Sequence, residues 1–212
     1  KLSSNGSNIL YKRSVKGSVY SSSGFNFLES KVRSIDGTRK GQDIVSVDST
    51  NDFIYALDTI YGIVYVYDNE CNLLSGFGGG IGEGESLGTF LKANSLAIHG
   101  DNILVSDEGQ SAITVFKPTE YGKLLMAAQT QYMKGDYSQS KDLWLKILSL
   151  NRGNQLAYRA LAMSAYSEGD YEKTLEYSKA GLAYTTYDLA YRELLKEKTA
   201  DWFAVIIVLI IL

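Results

Sequence analysis

The apolar residues change their spacing once, at Pro118, the single proline of the 212 residues. Before it they alternate with period two; after it they recur at helical spacing. The sequence therefore predicts two units, the first rich in strands and the second helical. Charge divides at nearly the same place. Residues 1–120 carry 10 basic and 14 acidic side chains, and residues 121–212 carry 11 and 10. The net charge of −3 argues against a broad basic face for nucleic acid. One cysteine excludes an internal disulfide, and one histidine excludes a His-rich metal site.

The strand-rich half repeats itself. Ile44–Asp48, Phe53–Asp58 and Ile63–Asp68 are three short apolar runs, and Ser95–Ile98, Asn102–Asp107 and Ala112–Phe116 follow in the same order. Asp58 maps to Asp107 and Tyr67 to Phe116, both at a spacing of 49. Between the two sets lie Leu73–Gly79 and a glycine-rich loop ending at Phe90. A period of this size with three or four short strands is a propeller signature. These residues resemble the NHL repeat, a β-propeller family, with Phe77-Gly78-Gly79, Gly84, Gly88 and Phe90 fitting the end of its unit. The resemblance covers residues 41–117 and implies two propeller units. Residues 1–40 read as a degraded or partial blade, with strands near Ile9-Leu10-Tyr11, Ser18-Val19-Tyr20 and Phe25–Leu28. Two or three blades do not close a propeller, so the expected fold is incomplete in its β part.

The helical half repeats at 34 residues. Tyr132-Met133-Lys134-Gly135-Asp136-Tyr137 aligns with Tyr166-Ser167-Glu168-Gly169-Asp170-Tyr171, and Ala128 with Ala162, all at that spacing. This is the period of the tetratricopeptide repeat, so residues 118–185 read as two such helical hairpins. Helices are expected near 120–134, 138–150, 155–167, 172–183 and 187–200. Each glycine permits a positive φ in its turn, each aspartate caps the next helix, and each tyrosine starts an apolar face. Ser178 departs from the pattern, because a large apolar residue is usual there.

Residues 186–201 read as a juxtamembrane helix. Trp202–Leu212 is an unbroken apolar run of eleven, and a bilayer span needs roughly 20 residues. The run is expected to be the start of a transmembrane helix in a longer protein. The fold class expected overall is all-β plus all-α: incomplete NHL-like blades, tetratricopeptide hairpins, then a membrane helix.

Residues that could carry chemistry have structural roles at hand. Asp58 and Asp107 each follow a strand and can accept turn amide hydrogens. The Gly76–Gly88 loop holds seven glycines, but it has no GxGxxG frame, no helix directly after it, and Glu83 and Glu85 would repel phosphate. His99 begins a Gly100-Asp101-Asn102 turn. Acidic neighbours around Cys71 raise rather than lower a thiol pKa. No catalytic, cofactor-binding or metal residue is assigned. The first helices of the repeat pairs carry Tyr132, Met133, Arg159 and Tyr166, which are the candidate partner-binding groove.

The order of strand repeat, helical repeat and apolar run resembles a family of bacterial membrane proteins with a C-terminal Yip-type multi-pass domain. That resemblance covers residues 41–212. It implies a non-enzymatic, membrane-tethered extracytoplasmic scaffold that assists carbohydrate uptake by an ABC transporter. The partner would be a transporter or solute-binding protein, with no cofactor and no nucleic acid. The alternatives are a propeller lyase or lactonase whose metal ligands lie outside this chain, and a glycan-binding sensor.

Overall fold

The computed structural model describes residues 2–5, 9–13, 19–21, 44–50, 52–70, 72–79 and 86–211. It divides into two compact units, Lys1–Pro118 and Thr119–Leu212.

In the first unit, β1 (Leu2–Asn5), β2 (Ile9–Arg13) and β3 (Val19–Ser21) form an antiparallel sheet in chain order. β4 (Ile44–Ser49), β5 (Phe53–Asp58), β6 (Ile63–Asp68) and β7 (Leu73–Gly78) form a four-stranded antiparallel meander. β8 (Ala93–His99), β9 (Asn102–Asp107) and β10 (Ala112–Phe116) form a three-stranded one. The expected strand at Phe25–Leu28 lies outside the described residues.

The two larger sheets pack on each other through specific contacts. The Phe77 ring of β7 lies 4.9 Å from Phe116 of β10, centroid to centroid, and Phe90, fully buried, lies 5.9 Å from Phe116. Asp48 Oδ2 in β4 accepts a 2.8 Å hydrogen bond from the Ile98 amide of β8. β5 and β6 are buried along both faces apart from Ile63 at the edge of the turn, which explains why they read as near-continuous apolar runs.

The second unit's described residues form α1 (Glu120–Met133), α2 (Tyr137–Leu150), α3 (Gln155–Ser167), α4 (Tyr171–Ala180) and α5 (Tyr184–Ile211). Each helix packs on the next, and α3 also touches α5. Side chains start three of them. Thr119 Oγ1 accepts from Gly122 N at 3.1 Å, Asn154 Oδ1 from Ala157 N at 2.9 Å, and Asp170 Oδ1 from Lys173 N at 3.0 Å. Leu125, Ala128, Trp144 and Ile147 fill the core of the first helix pair. The buried face of α3 is mostly alanine: Ala157, Ala160, Ala162 and Ala165 with Leu161. Small side chains there let its neighbours approach closely.

The expected fold class needs correction on two counts. Where NHL-like blades are expected, the strands form small open antiparallel meanders; only the expected lack of closure holds among the described residues. One cause is visible in the chain. The repeat would place a fourth strand of the β8–β10 sheet near residue 122, but the chain passes Pro118 and enters α1 instead. Nor does the expected start of a transmembrane helix stand: no helix of the described residues is long and apolar enough to cross a membrane. Helix α5 carries the apolar residues from Trp202 onward. The preceding turns of the same helix hold Arg192, Glu193, Lys196, Glu197, Lys198 and Asp201. Among the described residues, the expected sequence of partial blades, tetratricopeptide hairpins and a membrane helix is thus replaced by small open sheets followed by five helices, none of them long and apolar enough to cross a membrane.

Candidate functional site

The buried carboxylates of the first unit serve their own turns. Asp58, fully buried, ends β5, and its Oδ1 accepts from the amides of Ile60 at 2.9 Å and Tyr61 at 3.4 Å. Asp68 does the same at the end of β6, its Oδ1 accepting from the amides of Glu70 at 2.9 Å and Asn72 at 2.8 Å, and its Oδ2 accepts from the Asn72 side-chain amide. Asp107 goes further. Its Oδ1 accepts from Gly109 at 2.9 Å and Gln110 at 3.3 Å within the turn, and from Lys92 at 2.8 Å. Its Oδ2 accepts from Leu91 at 2.8 Å. Burial pushes the Asp107 carboxyl up, but the four amide donors outweigh it and hold the group below the usual carboxylate range. A carboxylate engaged in this way is a structural clamp, because its lone pairs are occupied by backbone donors rather than directed at a substrate.

The remaining polar candidates of that unit lie apart. His99 is exposed at the end of β8 and pairs across the turn with Asn102, with Gly100 at φ +60° between them. Among the described residues no group of three or more His, Cys, Asp or Glu side chains is placed to hold a metal. Cys71, Glu83 and Glu85 lie outside the described residues, as does the middle of the glycine-rich loop. Where the loop is described it has a structural use: Gly79 N donates to Gly62 O at 2.7 Å, tying the end of β7 to the β5–β6 turn.

In the helical unit the candidate groove residues fall into two groups. Tyr132 and Met133 end α1, both half-buried. Tyr132 lies against Tyr137 across the Gly135–Asp136 turn, with ring centroids 5.3 Å apart. Tyr166 repeats the arrangement with Tyr171 at 5.8 Å. Arg159 sits two turns before Tyr166 on α3, so the two share a helix face. The Arg159 guanidinium is partly committed, since its Nε donates to Gly181 O at 2.7 Å and ties α3 to the end of α4. The two turns are built alike, with Gly135 at φ +82° and Gly169 at φ +77°. In both, the aspartate amide reaches back into the preceding helix: Asp136 N to Gln131 O at 3.1 Å, and Asp170 N to Ala165 O at 2.9 Å. These are Schellman closures, in which the glycine takes the left-handed position.

The aspartates differ from the expectation that both cap. Asp170 accepts from the Lys173 amide and pairs with the Lys173 ammonium at 2.6 Å, whereas Asp136 makes no side-chain cap bond. The residue matching Lys173 in the first repeat is Gln139, so the ion pair that orients Asp170 has no equivalent there. Hydrogen bonding from Lys173 holds the Asp170 carboxyl below its ordinary range. Lys141 bridges from α2 to Glu168 at 2.6 Å, joining the first helix pair to the second turn.

Sequence reasoning missed the Arg159–Gly181 contact and the Asp107 clamp onto Leu91 and Lys92. Both join segments that no local pattern connects. Matched against models of known protein families and against curated proteins, the chain has no match in either.

Proposed function

We propose that the chain is a non-enzymatic binding module that acts as a scaffold for a protein partner at the extracytoplasmic face of a cell membrane. The observation that carries this reading is the repeated aromatic pair. Tyr132–Tyr137 and Tyr166–Tyr171 recur in two equivalent turns, all four rings partly open to solvent. Tyrosines of this kind offer large contact area at low side-chain entropy cost, together with a polar hydroxyl. Met133, half-buried beside Tyr132, adds an adaptable apolar contact. The resemblance of the chain's order of repeats to the Yip-type membrane-protein family, which implies by association a part in carbohydrate uptake, suggests the partner class, a solute-binding protein or a transporter component.

The test is affinity capture from membranes and periplasmic or cell-wall extracts with the immobilised chain, followed by mass spectrometry. Capture is compared with that by Met133→Asp, whose substitution falls at a partly open helix end. The expected result is a solute-binding protein or transporter component retained by the wild type and lost by a variant with unchanged melting temperature. Retention of such a protein equally by both, or by neither, overturns the reading.

A further inference from the structure

The β8–β10 sheet lacks the outer strand that its sibling has. Strand β10 ends the order β10-β9-β8, and among the described residues no second strand pairs with it. The 49-residue repeat maps β10 onto β6, which pairs with β5 on one side and with β7 on the other. The chain supplies no counterpart of β7 directly after β10, because beyond Phe116 it passes Pro118 and enters α1. One edge of β10 therefore offers the row of backbone donors and acceptors that β7 satisfies on β6.

This edge carries none of the usual guards. Outer strands are ordinarily blunted by charge, proline or a bulge. Residues Ala112–Phe116 include no charge, no proline and no glycine, and their register with β9 is unbroken. The outer strand of the four-stranded sheet differs. β7 shifts register against β6 between Val66 and Tyr67, and it carries Gly76 and Gly78. Ile113 is 63 % exposed and Val115 50 %, so the unguarded edge is apolar as well as unpaired.

An open backbone edge is satisfied by another extended backbone, and the repeat gives the register. β7 runs antiparallel to β6 with Phe77 opposite Val64, Gly76 opposite Tyr65 and Ser75 opposite Val66. Carried forward by 49 residues, that pattern sets an aromatic residue opposite Ile113, a glycine opposite Thr114 and a serine opposite Val115. A strand that fits is thus uncharged throughout. In a second copy of this chain, the strand with this pattern is β7, already paired with its own β6. We propose that the β10 edge captures an extended, uncharged segment of a different protein as an added antiparallel strand. Backbone hydrogen bonds hold the segment, and its side chains cover Ile113 and Val115. This surface is independent of the helical residues assigned to a partner above.

The test is residue-resolved hydrogen exchange of the full chain with a synthetic peptide of residues 72–79, Asn-Leu-Leu-Ser-Gly-Phe-Gly-Gly. The peptide should slow amide exchange within Ala112–Phe116. The same peptide N-methylated at every residue should not, because it has no backbone donors left to pair. Ile113→Lys with Val115→Lys charges the edge and should abolish the slowing, with β6–β7 protection unchanged. No slowing at any peptide concentration overturns the proposal. So does equal slowing by the N-methylated peptide, or slowing at β10 that survives the double lysine variant. Protection of β10 that rises with protein concentration in the absence of peptide also overturns it, since a second copy would then be the occupant.

Discussion

The backbone nitrogen of Arg159 lies 2.8 Å from where a Cβ on Gly181 would stand. Arg159 Cγ and Tyr158 Cβ would be 3.0 Å from the same point, so α3 and the end of α4 leave no room for any side chain at 181. The first prediction follows. Gly181→Ala should destabilise the helical unit by about 1–3 kcal/mol, because the obstacle is backbone and cannot rotate away. Thermal unfolding followed by circular dichroism measures it. An unchanged midpoint would mean that the helices separate at little cost.

That contact also explains an unusual neighbour. Leu182 adopts φ +52°, a region that glycine or asparagine normally fills. Its amide reaches Lys179 O at 3.3 Å, and the Ala183 amide reaches Ser178 O at 2.8 Å, closing α4 as Gly135 and Gly169 close α1 and α3. The glycine near this third closure is needed one residue early, against Arg159, so a leucine takes the left-handed position. Leu182→Ile keeps the volume but adds β-branching at positive φ. It should lower stability by about 1 kcal/mol or more. Denaturant titration of the two proteins decides it, and equal midpoints would contradict the strain.

The helical half was more legible in the sequence than the strand half, for a physical reason. Gly135 and Gly169 mark their turns through a local requirement, a positive φ two residues before a tyrosine, and the repeat doubles that signal. The helix spacing likewise falls on α1 to α4. Helix α5 runs from the residues near 187–200 straight into the apolar run, the continuation that the sequence leads one to expect, because nothing between Lys198 and Trp202 breaks a helix. In the strand half, the runs at Phe53–Asp58 and Asn102–Asp107 showed their strands plainly. Alternation cannot say how many strands a sheet gathers, or that the chain leaves β10 for a helix. Contacts such as Asp107 with Leu91, or Arg159 with Gly181, join residues 16 and 22 apart and leave no trace in local pattern.

Ser178 stands where the first repeat has Trp144, and its Oγ is buried without a hydrogen-bond partner. Ser178→Ala should therefore stabilise the protein by about 1 kcal/mol, since it removes a desolvated hydroxyl and adds a stronger helix former. Ser178→Leu should do the opposite, by about 1–3 kcal/mol, because the site is closely packed. Paired melting curves test both signs together. A stabilising leucine would reveal a cavity where close packing is inferred.

The last prediction concerns acid. Asp107 holds four backbone amides, two in its own turn and two on the segment entering β8, so its charged form is favoured in the folded protein. Its folded pKa lies below the ordinary carboxylate value. The stability it contributes is therefore fully present above the unfolded pKa, near 4. It is lost as pH falls through the folded value. Asp107→Asn replaces one acceptor oxygen by an NH₂ group, which cannot accept. Either the bond from Leu91 or those from Lys92, Gly109 and Gln110 must go, at about 1–3 kcal/mol at neutral pH. Because the variant has no carboxylate at this position, the stability gap between it and the wild type should narrow as pH drops below 4. Urea unfolding of both proteins from pH 7 down to pH 3 measures that gap. A gap that stays constant across this range would show that the carboxylate charge contributes nothing to the clamp.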